Sequence, residues 1–121
     1  MTSIDETTAT RLTGVGLSAV AVIGLRGPLA IQCVRDCFAP ASKSNLNFSA
    51  GQVRYGTWKS RPDGPGESIV LSPMADGSFE IHGHGGEAAV NAILASLTDR
   101  GVQSVESSTW QRSASILLSE A

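Results

Sequence analysis

The stretch SFEIHGHGGEAAVNAIL, from Ser78 to Leu94, constrains the fold more than any other part of the chain. Ser78 to His84 reads as a strand, and from Glu87 the apolar residues Ala88, Val90, Ile93, Leu94 and Leu97 recur at helical spacing. Gly85 and Gly86 stand between the two, where the chain has to turn. Arg100 and Gly101 then put a cation and a glycine at the helix end, which are stop signals. A buried β-segment that turns at paired glycines into an amphipathic helix is a scaffold unit first. Its chemistry has to come from the few reactive groups near the corner.

Those groups are Glu80, His82 and His84, which share one strand face by parity. They spell E-x-H-x-H, but a zinc-like site needs three or four supported ligands and the chain has no further histidine. An anion site is the second reading. The first N–H groups of a helix lack internal partners, and Gly85 and Gly86 would let a carboxylate or phosphate approach the backbone. Glu87 in the first turn can answer the positive helix end instead. Ligand site and plain turn both stay open. No spacing ties a nucleophile, a base and an orienting acid together, so no catalytic constellation is legible.

The rest of the chain supplies partners for this unit. LSAVAVIGLRGP (Leu17 to Pro28) is almost continuously apolar, which suits a strand covered on both faces. Pro28 fits the first turn of a helix with Leu29, Ile31 or Gln32, Cys33, Cys37 and Phe38 inward, Arg35 and Asp36 outward, and Pro40 as its stop. Ala39 to Gly51 is a polar connection. Gln52 to Trp58 alternates, with Val53, Tyr55 and Thr57 on one face. The turn-rich KSRPDGPGES leads to a strand over Ser68 to Met74, and the short ADG link returns to the Ser78 strand. VQSVES is a last short strand. Ser107, Ser108 and Thr109 are cap candidates for a helix with Trp110, Ala114, Leu117 and Leu118 at helical spacing. The order predicts an α+β fold: a mixed, largely antiparallel sheet of about five strands with about three helices. Residues 1–12 read as a flexible leader and 13–121 as one domain.

Composition excludes several classes. The net charge is −2 and the nine Lys and Arg are scattered, so no basic stripe marks direct nucleic-acid binding. No run of about 18 apolar residues spans a membrane, and the acidic, polar start is unlike a signal peptide. Cys33 and Cys37, four apart, suit a disulfide badly and read as buried thiols in a reducing cytoplasm. GQVRYGTW has phosphate-loop glycine spacing but lacks the lysine. Trp58 and Trp110 could stack on a planar ligand, although core or interface packing is the commoner fate.

Three pieces, in order, carry a resemblance: AVAVIGLRGP, VRYGTW and FEIHGHGGEAAVNAILASLTDRGVQ. They resemble the first strand with its G-P step, the Y-G-x-aromatic strand, and the strand ending E-hydrophobic-x-x-H-G-G before a helix in the N-terminal domain of the tRNA-modification GTPases called TrmE or MnmE. The likeness covers about Thr13 to Ala121. It implies a fold similar to tetrahydrofolate-binding aminomethyltransferase domains, a homodimer, and binding of a one-carbon folate such as 5-formyltetrahydrofolate that serves wobble-uridine modification. It places Glu80, His84, Gly85, Gly86 and Arg112 among cofactor-binding positions. GTP, tRNA and a partner modification enzyme would engage only the longer protein. The final LLSEA is similar to the start of a helix that continues in the family, which favours a chain running on beyond Ala121.

The departures from that pattern are specific. The family's P-P-G-x-G reads GVGLS here, the arginine of its first strand falls on Gly24, and its Y/F-T-G-E-D loop is replaced by MADG. Its later P-G-E-F-T-x-R motif is reduced to SSTWQRSAS, which keeps Arg112. Several of these positions lie around the family's folate pocket. The alternatives are a stand-alone dimerisation module without folate, or a small metal-dependent enzyme built on Glu80, His82 and His84. Tyr55 and Trp58 are the expected dimer-surface residues.

Overall fold

The computed structural model describes residues 6–12, 20–42 and 48–110. These form strand β1 (Thr8–Arg11), β2 (Val20–Arg26), helix α1 (Ala30–Cys37), β3 (Phe38–Pro40), β4 (Arg54–Lys59), β5 (Gly66–Pro73), β6 (Phe79–His84), α2 (Glu87–Thr98) and β7 (Gln103–Ser104). A further helical turn covers 107–110. The strands make one sheet in the order β3-β4-β5-β6-β2-β1-β7. Every pairing is antiparallel except that of β1 with β7.

Alternation decides which face is buried. Ala9, Ile23, Leu25, Ile69, Leu71, Phe79 and Ile81 point to one side, where they form a single core with Cys33, Val34, Cys37, Val90, Ile93 and Leu97 of the helices. Trp58 joins this core, and its indole N–H donates to Ser96 Oγ at 2.9 Å, which in turn donates to the Ile93 carbonyl. That chain of bonds satisfies polar groups no water reaches. The end of α2 is closed by paired bonds, Val102 N–H to the Leu97 carbonyl and Gly101 N–H to Thr98, with Gly101 at φ +90°. Only a residue without a Cβ takes that conformation cheaply, and Val102 and Leu97 seal the turn as buried apolar partners.

Four expectations are corrected. The sheet has seven strands instead of five, because β1 and β3 add to those read from the sequence. The flexible leader contains β1, held between β2 and β7, with Thr8, Ala9 and Thr10 all buried. Helix α1 begins at Ala30 and buries Ala30, Cys33, Val34 and Cys37, so Leu29 and Ile31 face solvent. The i, i+3, i+4, i+7 stripe is intact but its phase differs. The helix also stops three residues before Pro40, since Phe38 to Pro40 pair with β4. Finally, Trp58 is a core residue rather than a dimer-surface residue. Cys33 and Cys37 are free and buried, as the sequence reading has them. Burial pushes both thiols up, although Arg100 draws them down.

Candidate functional site

The strand-to-helix corner forms as the sequence indicates, with β6 ending at His84 and α2 starting at Glu87. Gly85 is buried, and Gly86 is the helix cap at φ −65°, ψ 142°, without a side-chain cap bond. Arg11 of β1 reaches this corner from 76 residues away: Nη1 donates to Glu87 Oε1 at 2.7 Å and Nη2 lies 3.5 Å from the Gly85 carbonyl. The positive end of α2 therefore meets the Glu87 carboxylate, and Arg11 holds that carboxylate in place. Arg11 carries no local signal in the sequence, because its pairing depends on β1 lying beside β2.

Glu80, His82 and His84 leave β6 on the side of the sheet opposite the helices, in register with Gly24, Val22 and Val20 of β2. His82 Nε2 lies 3.2 Å from Glu80 Oε1, and His84 is exposed at the strand end. Among the described residues no group of three or more His, Cys, Asp or Glu could hold a metal ion. Arg112 lies outside the described residues. On the same side, opposite α1 and α2, Val20, Tyr55, Val70, His82 and His84 line a shallow open trough.

A second constellation lies at the other end of that face, around β1 and β2. After β7 the chain turns back over β1 and sets Trp110 on Gly24. The Arg26 guanidinium stacks 3.5 Å from the Trp110 ring centroid and donates through Nη2 to the Trp110 carbonyl. Arg26 is only 8% exposed, and its Nε and Nη1, like Trp110 Nε1, are buried without a hydrogen-bond partner among the described residues. Desolvation lowers the pKa of Arg26, opposed by the charge of Asp76. Burial raises the Asp76 carboxyl, but hydrogen bonds from the Ser78 hydroxyl and N–H, with the Arg26 charge, outweigh this and hold it below the usual range. The sequence gives Trp110 a helical position and Arg26 a strand position; nothing local announces that they meet.

No family model matches the chain. Among curated proteins it is similar to the tRNA modification GTPase MnmE of Nitratidesulfovibrio vulgaris (strain DP4), 25% identical over 116 residues, which is 91% of this chain and 25% of that protein. It is also similar to the tRNA modification GTPase MnmE of Synechococcus sp. (strain RCC307), 34% identical over 100 residues, covering 74% of this chain and 22% of the relative. The chain thus spans about a quarter of the length of the curated relatives it matches. These likenesses support a relationship to the TrmE-like proteins.

Proposed function

We propose that this chain is the N-terminal, dimerising scaffold domain of a TrmE-like GTP-binding protein that acts in the modification of tRNA wobble uridine. The likeness to the MnmE proteins over 91% of the chain carries this reading. Among the described residues, the sheet face opposite α1 and α2 carries Tyr55 at 70% and Val20 at 51% exposure, which supports this reading. Exposed apolar surface of that kind suits a second copy of the chain, which would present the same patch in return. In this reading GTP, tRNA and a partner modification enzyme engage the longer protein through other segments, in the cytoplasm, and this segment does not itself grip nucleic acid. No helix among the described residues is long and apolar enough to cross a membrane.

The resemblance also implies a one-carbon folate, and our reading is that this chain has lost it. Where the family's first strand carries arginine, this chain has Gly24, and the Trp110 ring fills the space above it. The reading we adopt is therefore a scaffold without folate. Light scattering on the purified chain tests it: a dimer is the expected result, and a monomer at high micromolar concentration counts against the proposal.

A further inference from the structure

Register arranges the sheet face opposite α1 and α2 into rows that cross four strands. Tyr55 of β4, Val70 of β5, His82 of β6 and Val22 of β2 are successive partners, so they form one row. Thr57 and Ser68, with His84 and Val20, form the next. The first row is uneven in height. Tyr55 stands out at 70% exposure at one end, whereas Val22 at the other is half-buried. The open trough lies between them, over Val70 and His82.

A second copy of the chain is the occupant these rows suit. A patch that meets its own copy must be complementary to itself, and a net charge in it would face the same charge. The two rows contain no carboxylate, ammonium or guanidinium; Lys59, Glu80 and Arg26 lie outside them. A partner recognised through charge finds no fixed counter-charge there. The sheet edges are poorer templates still. Outer strands β3 and β7 are three and two residues long, and Pro40 ends β3. Contact between copies is therefore face to face.

We infer that two copies pack sheet on sheet about a twofold axis running along the strands, midway between Val70 and His82. Neighbouring strands are about 4.8 Å apart, so Tyr55 and Val22 each lie about 7 Å from that axis, on opposite sides. Rotation then sets the Tyr55 ring of each copy over the partner's Val22, knob over hollow, and Val70 against the partner's His82. An axis across the strands would instead set Tyr55 against Tyr55 or its neighbours on β4, holding the two faces apart at the trough. This inference rests on the dimer reading and deepens it by naming the residues that meet.

The test is cross-linking with a short bismaleimide in a Cys33→Ala/Cys37→Ala background, which removes the native thiols. Tyr55→Cys and Val22→Cys are made as separate chains and refolded together. The expected result is at least tenfold more covalent dimer in the mixture than in either chain alone, because like positions lie apart on opposite sides of the axis. Covalent dimer equally abundant with Tyr55→Cys alone, or with Val22→Cys alone, overturns the inference. No covalent dimer in a mixture that sedimentation shows to be dimeric also overturns it and leaves the dimer reading standing. A wild-type chain that sediments as a monomer removes both. If loss of the Tyr55 ring leaves the mixture monomeric, Thr57→Cys refolded with Val20→Cys takes its place with the same expectations, one row along and with Tyr55 intact.

Discussion

On one face of the sheet, Ile23, Leu25, Leu71 and Ile81 are fully shielded by α1 and α2. On the other, Val20 and Tyr55 lie open at one end while Thr8, Thr10 and Arg26 are buried at the other, near a single indole. The same strands build both faces, and only parity separates them. The helix-covered face is apolar, closed and devoted to stability. The face opposite α1 and α2 carries Glu80, His82, His84 and Arg26, with Val20 and Tyr55 exposed at one end and Trp110 set on Gly24 at the other. Core residues and residues of the opposite face thus alternate along the same strands.

Substitution of one residue on each face tests that division most strongly. Ile81→Ala is expected to cost about 2–5 kcal/mol, and Tyr55→Ala to stay within about 0.5 kcal/mol, both by chemical denaturation of the same preparation. Comparable losses at the two positions would erase the contrast. The thiols sharpen it by pH. Burial raises the folded-state pKa of Cys33 and Cys37, so the native state keeps protons that the unfolded chain releases. Their contribution is fully present below the unfolded thiol value, about 8.5, and is lost as pH rises toward the folded value. Cys33→Ala/Cys37→Ala should flatten that alkaline decline in urea midpoints; an unchanged slope would place its origin elsewhere. The smallest effect is expected at the corner. Glu87→Gln removes the carboxylate from both the helix end and Arg11, and should lower stability by about 0.3–1 kcal/mol, read as a small drop in Tm that added salt reduces.

The covered face was largely legible because its signals are local. The apolar run of β2, the alternation of β5 and β6, and the helical spacing of α2 each lie within one short window. Gly101 likewise stands where a helix stop requires it. Strand β1 was not legible: Thr8, Ala9, Thr10 and Arg11 show no apolar alternation, and their strand state comes from pairing with β2 and β7. Strand β3 is only three residues long and begins as α1 ends. At the site, the corner glycines could be read in advance, but the Arg11–Glu87 pair joins residues 76 apart and the Arg26–Trp110 stack residues 84 apart. Such meetings are set by topology, which no local pattern encodes.

On our proposal, this chain works as a dimerising surface formed by the sheet face opposite α1 and α2. Sedimentation equilibrium on the wild-type chain beside Tyr55→Lys tests that directly, since a lysine at the 70% exposed Tyr55 leaves the fold intact but places charge on the apolar patch. The account predicts a wild-type dimer whose dissociation constant rises at least tenfold in the variant. A wild-type monomer throughout, or equal dimerisation of both proteins, would contradict it.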